Sequence, residues 1–360
     1  MKEPQNILVT GVSGYWGSRV AKALVGQSGA HVIGIDIEKP TEKIDRLDFI
    51  QTDIRNPLLV DLLVTEQIDT VCHLTFIDSM RPNEATFEVN VMGTMKVLGA
   101  CAEAKVGQVL LKSSTAVYGA HPGNAAFLTE DLPLKGSQSY GYTRDMMEVE
   151  AFCNGFRQQV PEMKLAILRF SSIVGPSVKT PMTRFLGEPW TPVLLGFDPM
   201  MQVIHEHDVV DALVHAVRTR PSGVFNVAAE DVLPLSKIMG LAGKFPLPVF
   251  HLFAYWGAGL LGGSGLRVAR YVPMELDYIR YPWVGDLRKM RQELQFAPQY
   301  SAEQALVEFA EKARIRRYVP ETVDLAFDED RLGEALDRRR RIRHGESEEL
   351  LKDAEEGDNE

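Results

Sequence analysis

Eight residues near the start, Thr10-Gly11-Val12-Ser13-Gly14-Tyr15-Trp16-Gly17, constrain this chain more than any other stretch. They follow an apolar run, Ile7–Val9, and precede an amphipathic one, Ser18–Val25, which predicts a strand–turn–helix unit. Gly11 makes the sharp turn, Gly14 lets backbone approach a pyrophosphate, and Gly17 lets helix and sheet touch. A second apolar run, His31–Ile35, ends on Asp36, 19 residues after Gly17. A carboxylate there accepts from both hydroxyls of a ribose and repels a 2′-phosphate. Ile37 follows instead of an arginine, so the pattern predicts NAD over NADP. Asp53, in Thr52-Asp53-Ile54 at the end of a third strand, either accepts from an adenine amino group or caps the next helix.

Short apolar runs alternate with amphipathic stretches through the first half, which predicts an α/β chain. The expected architecture is a Rossmann-type doubly wound parallel sheet with a smaller, mostly helical substrate lobe. Further strands are expected at Phe49-Ile50, Thr70–Leu74, Gln108–Lys112, Lys164–Arg169, Gln202–His205 and Gly223–Val227. Helices are expected at Glu84–Lys105, Tyr140–Phe156 and Asp208–Thr219. The expected division is a dinucleotide domain over 1–176, completed by about 201–228, and a substrate lobe over 177–200 and 229–315. A charged tail, 316–360, contains Arg338–Arg341 and an acidic end from Glu346, and reads as solvated.

A formal net charge of −10 argues against nucleic-acid binding, which needs a basic face for phosphates. Cys72, Cys101 and Cys153 form no Cys-x-x-Cys pair, so neither a zinc site nor a disulfide framework is expected. The first strand begins at Asn6 with no secretory leader before it, which points to the cytoplasm. One apolar stretch, Phe245 to Gly263, nearly reaches membrane-spanning length. With two prolines at its start, it reads as a buried helix of the lobe, or as a peripheral membrane contact.

Tyr140-Gly141-Tyr142-Thr143-Arg144 places a phenol one helical turn before a cation, a spacing suited to acid/base work. Together with several other pieces, it makes the chain resemble the extended short-chain dehydrogenase/reductases, the NAD-dependent epimerase/dehydratase family with UDP-glucose 4-epimerase-like members. The matching pieces are the Thr10–Gly17 turn, Val71-Cys-His-Leu-Thr75, Asn90-Val-Met-Gly-Thr94, Ser113-Ser-Thr-Ala-Val-Tyr-Gly119 and Tyr140-x-x-x-Arg144. Leu168-Arg169 with Gly175-Pro176, Ile204-His-Glu-His-Asp208 and the segment Asp286–Pro298 complete the resemblance, which spans about residues 5 to 310. It implies NAD held by Gly11, Ser13, Gly14, Tyr15, Trp16, Gly17, Asp36, Asp53, Ile54, Leu74, Thr75 and Asn90, with Tyr140 and Arg144 completing the site. It implies that Tyr140 exchanges a proton with a substrate oxygen that Ser114 also binds, while hydride passes to or from nicotinamide. It further implies a homodimer packed through helix Asn90–Lys105, whose apolar stripe equally suits a helix covering its own sheet. His205, His207 and Asp208 would suggest a metal, but the resemblance makes them supports of the fold.

Two departures matter. The resemblance implies a lysine at position 144, binding the nicotinamide ribose and lowering the tyrosine pKa. Arg144 keeps the charge but cannot release a proton, and its planar fork is bulkier. Lys112, two residues before Ser114 and so on the same strand face, offers an alternative ammonium. On the substrate side, Ser172 stands where the resemblance implies an asparagine reaching a diphosphate. No arginine precedes Ile204-His205, so few groups remain to neutralise such a substrate. An apolar small-molecule substrate suits the lobe better, as in the sterol and 3-hydroxyacyl dehydrogenase branch. Three functional readings stay open: an oxidoreductase or epimerase at a secondary alcohol or ketone, an NAD(H)-binding regulator with weakened catalysis, and a membrane-surface dehydrogenase of a lipid, sterol or isoprenoid alcohol.

Overall fold

The computed structural model describes residues 5–26, 29–187, 190–250 and 275–318, with side chains to 312. Two compact units are present, Met1–Ala310 and Glu311–Glu360. Six parallel crossovers build the main sheet from β1 (Gln5–Thr10), β2 (Ala30–Asp36), β3 (Asp48–Gln51), β4 (Thr70–His73), β5 (Gln108–Ser114), β6 (Lys164–Phe170) and β10 (Gly223–Val227). The order is β10-β6-β5-β4-β1-β2-β3, and every neighbouring pair runs parallel. Strand order reverses at β1, which pairs with β2 on one side and β4 on the other. The loops leaving β1 and β4 therefore diverge and open a crevice at their carboxyl ends.

Both faces of the sheet are buried, because alternate residues of each strand serve different cores. Ile7 and Val9 of β1, Leu110 of β5 and Leu168 of β6 pack with α1 (Tyr15–Val25) and α7 (Glu206–Thr219). Leu8, Val109, Leu111 and Ile167 face the other way, toward α2 (Leu59–Thr65), α4 (Gly93–Glu103) and α5 (Gly141–Gln159). Each such side chain contributes about 1.5–3 kcal/mol by leaving water.

Sequence periodicity did not register α2, seven residues long with two buried positions, Leu59 and Leu63. Nor is Glu84–Lys105 one regular helix. It is α3 (Glu84–Phe87), a π turn over Glu88–Met92 and then α4. The break sits where Gly93 meets Ile54: a Cβ on Gly93 would lie 2.7 Å from Ile54 Cδ1.

Beyond β6, β7 (Ser172–Val174), β9 (Met200–His205) and β11 (Val232–Pro234) form a small mixed sheet. A two-stranded ribbon pairs β8 (Trp190–Leu194) with β12 (Phe245–Val249). Between them lie α6 (Pro181–Phe185) and α8 (Leu235–Leu241). The ribbon corrects the expected buried helix at Phe245: residues 245–249 are a strand, with Phe245 64% and Leu247 47% exposed. Pro246 and Pro248 explain this, since each removes an amide and clashes with the preceding turn of a helix. The rest of that stretch, 251–263, and the tail from 319 lie outside the described residues. No helix among the described residues is long and apolar enough to cross a membrane.

His205, His207 and Asp208 lie where β9 enters α7. His205 stacks on Tyr300 at 3.9 Å and faces Glu308 of α9 (Ala302–Tyr318) at 3.2 Å. Asp208 accepts the Gln299 and Tyr300 amides at 2.7 and 3.1 Å. These side chains fasten the closing segment to α7.

Candidate active site

The glycine turn is closed by backbone. Gly11 has φ +69°, and a Cβ there would lie 2.8 Å from the Thr75 amide nitrogen. A Cβ on Gly17 would fall 2.0 Å from the Gly11 carbonyl oxygen. Gly14 caps α1 without a side-chain hydrogen bond, and no acidic residue occupies the first turn. The positive end of α1 is thus left unneutralised by the protein's own side chains, which fits an anionic pyrophosphate. Asp36 is half-buried and oriented from below: it accepts the Ser13 amide at 3.0 Å and the Ile37 amide at 2.8 Å. Carboxylate lone pairs beyond those two suit a ribose diol.

The other residues implied for the cofactor are placed less uniformly. Trp16, Leu74 and Thr75 line the crevice, and Leu74 and Thr75 are pinned by Thr10 Oγ1 at 3.2 and 3.3 Å. Tyr15 turns instead toward Ser177, 2.9 Å from its hydroxyl, with Arg19 over its ring. Asp53 gives both carboxylate oxygens to Arg55, at 2.9 and 2.7 Å. Ile54 is buried against Gly93. Asn90 is fully buried and clamps Ile77 through both its amide N–H and carbonyl.

A cavity of about 200 Å³ continues the crevice past the end of β5. Three buried hydroxyls without a partner among the described residues, on Thr75, Tyr140 and Ser171, all line it. Buried hydroxyls are ordinarily bonded, so this concentration marks where a ligand's polar atoms belong. Tyr140 is the extended residue that precedes α5. Burial pushes its phenol up to about 12, the Asp78 carboxylate adds to this, and Arg184 opposes it. Ser114, at the end of β5, lines the cavity too, and its hydroxyl accepts the Ala116 amide at 3.2 Å. The phenol lying against Ser114 belongs to Tyr142, whose pKa burial raises and Ser114 lowers. Tyr142 has the same first-turn signal as Tyr140, and sequence reading passed over it.

Arg144 is held beside the cavity by a neighbour of its own helix. Its Nε and Nη2 bind Asp145 Oδ1 at 2.9 and 2.6 Å, and the guanidinium lies 5.1 Å over the Phe87 ring. It does not line the cavity. Asp145 is fully buried beside it, and a planar fork gains more from that carboxylate than from an open crevice. Lys112 does line the cavity, with Nζ 5.2 Å from the Trp16 ring centroid. Burial pulls its pKa down to about 8, partly offset by Asp78.

Supports lie behind the cavity. Arg169 and Glu150, 2% and 1% exposed, pair at 2.6 Å. Glu150 also takes the Ser113 hydroxyl at 2.5 Å, and Arg169 donates to Tyr118 at 2.7 Å. These bonds lock β5, β6 and α5 together. Glu150 had no sequence signal, because its partner lies 19 residues away on another element. His73 sits between Thr10 and Thr94 at 2.7 and 3.0 Å, and burial lowers its pKa to about 4. On the far wall, Phe170, Ile173, Met182 and Trp283 are apolar, Ser172 lies among them, and Glu275 is tied to Ser137.

A model of the NAD dependent epimerase/dehydratase family matches residues 7–228. An uncharacterized protein of Mycobacterium tuberculosis is 30% identical over 322 residues, 85% of this chain and 83% of that protein. A UDP-glucose 4-epimerase of Neisseria meningitidis is 29% identical over 187 residues, 48% of this chain and 54% of the relative. Among solved structures, MoeE5 in complex with UDP-glucuronic acid and NAD is similar in fold, with TM-score 0.66 and 22% identity. That match covers 86% of this chain and 99% of the other. The UDP-glucose 4-epimerase of Thermotoga maritima with UDP-glucose superposes with TM-score 0.65 and 20% identity, covering 87% and 100%.

Proposed function

Since this chain belongs to the NAD dependent epimerase/dehydratase family, we propose that it is an oxidoreductase that interconverts a secondary alcohol and its ketone. The carrying observation is the set of partnerless hydroxyls at Thr75, Tyr140 and Ser171 in one cavity beyond the glycine turn. NAD, when bound, accepts the hydride and can return it. The N-terminus of α1 receives the pyrophosphate, and Asp36 takes the adenosine ribose hydroxyls and disfavours a 2′-phosphate. Tyr140 holds the proton at Oη: as a phenolate it takes the proton of the substrate O–H while the C–H hydride leaves. In the reverse direction it protonates the carbonyl oxygen as hydride arrives. Ser114 donates to that same oxygen. Residues 1–176 with 201–228 carry the cofactor, and 177–200 with 229–315 shape the substrate side.

The substrate is a small molecule with an apolar body. Ser172 stands among Phe170, Ile173 and Met182, and no guanidinium among the described residues of that wall balances a diphosphate. The test is calorimetry of the purified protein with NAD and NADP, then assays for reduced nicotinamide absorbance. Those assays use UDP-glucose, UDP-glucuronic acid and a panel of hydrophobic secondary alcohols. Failure of the protein to bind NAD sinks the proposal.

One observation favours a second reading. Arg144 is spent on Asp145, which suits an NAD(H)-binding regulator with weak turnover. NAD binding without turnover of any alcohol in the panel would select it. Exposed Trp190, Phe245, Leu247 and Phe250 support peripheral attachment to a membrane. Co-sedimentation with liposomes tests that, and a protein left in the supernatant refutes it.

A further inference from the structure

Lys112 is the one ionised side chain of the cavity interior that the described residues leave unclaimed. Of the acids lining the same cavity, Asp78 is held by Arg184 at 2.9 Å, Glu150 by Arg169 at 2.6 Å, and Glu275 by Ser137. His73 is enclosed between two threonines, and Lys179 stands exposed at the mouth. Lys112 makes no ion pair or hydrogen bond among the described residues, and its ammonium hangs above Trp16 in the first turn of α1. Lys112 is half-buried, with only the Asp78 charge acting on it from within the cavity, so its ammonium donors are open to a ligand's oxygens.

We propose that Lys112 is the cation that grips the bound dinucleotide, from β5, in place of the residue at position 144. The geometry gives three reasons. Lys112 and Ser114 are two apart on β5 and project from one face, so the lysine lies one step inward from the serine hydroxyl. Its aromatic neighbour Trp16 belongs to the glycine turn, which places the charge between the pyrophosphate end and the phenols. Arg144, meanwhile, is turned out of the cavity by Asp145, Asn83 and Phe87. Lys112 donates to the oxygens of the dinucleotide from the same cavity that Tyr140 and Tyr142 line. Burial that brings this amine down to about 8 also makes its charge adjustable near neutrality, and a bound anion restores it. This inference rests on the dinucleotide reading above.

The experiment measures NAD affinity by calorimetry for wild type, Lys112→Met and Arg144→Lys. Expected is a loss of roughly tenfold or more for Lys112→Met and a change within about twofold for Arg144→Lys. A parallel measurement needs no variant. Lysine acylation of the wild-type protein is mapped by mass spectrometry across pH, with and without NAD. Lys112 is expected to react with a midpoint near pH 8 and to be protected several-fold by NAD. Unchanged affinity in a folded Lys112→Met, or labelling of Lys112 that NAD does not slow, overturns the inference. Wild-type protein that binds no NAD overturns the dinucleotide reading and this inference with it, and is told apart by its appearing before any substitution.

Discussion

The first turn of α1 and the first turn of α5 face the same cleft and are built in opposite ways. The α1 turn is fixed by main chain: Gly11 and Gly17 leave no room for side chains, Gly14 leaves little, and contacts run from backbone to backbone. The α5 turn is fixed by side chains. Tyr142 lies against Ser114, Arg144 binds Asp145, and Tyr140 is left with a bare hydroxyl. A turn closed by backbone has one solution, which spacing reveals. A turn closed by side chains depends on which partner each one finds, and distant residues supply those partners.

The comparison breaks first at Gly17. Gly17→Val puts carbon where the Gly11 carbonyl sits, and about 5 kcal/mol or more of stability should go, read as a collapsed Tm and absent NAD binding. A native-like Tm would mean that the α1 turn adjusts as freely as the α5 turn. Next comes Tyr140→Phe, which removes one oxygen from the side-chain-built turn. Turnover should fall roughly 100- to 1,000-fold, about 3–4 kcal/mol, with NAD affinity unchanged. Full turnover would pass the acid/base role to Tyr142.

Acid probes the backbone-built side through His73, braced by Thr10 of β1 and Thr94 of α4. Its folded pKa, about 4, lies below the ordinary 6.5, so the unfolded chain binds the proton more readily. The stability it contributes is complete above about pH 6.5 and drains away as pH falls toward 4. The total is roughly 3 kcal/mol. Urea unfolding across pH checks this, and His73→Asn should flatten that part of the profile. Asp36→Ala should cost about 1–3 kcal/mol of NAD binding and narrow the preference over NADP. Equal wild-type affinity for the two cofactors would refute that carboxylate's role. Smallest of all is Arg144→Lys, expected to cost about 1 kcal/mol of stability, because an ammonium still pairs with Asp145 but loses the second bond and the contact with the Phe87 ring. A tenfold gain in turnover would show that the guanidinium obstructs the cleft after all.

Much of the sheet was readable before any coordinates, because strands buried on both faces appear as short apolar runs between turns. The runs at Ile7–Val9, His31–Ile35 and Gly223–Val227 fall inside β1, β2 and β10. The short α2 was not readable, since two buried leucines do not make a period. Nor was the π turn before Gly93, where Ile54 packs in from the loop after β3. The stretch from Phe245 misled for a different reason. Its apolar content suggested burial, while its alternating prolines decided for an exposed ribbon.

By itself the sequence determined the glycine turn and the carboxylate 19 residues on, because these are set by local backbone geometry and chain spacing. Only the tertiary structure decided which charge enters the cleft. Asp145 and Asn83 draw Arg144 away, and Trp16 with the end of β5 holds Lys112 within. A side chain's direction follows the acceptors it meets in the folded protein, and those are brought together only when strands and helices far apart in the chain close on one another.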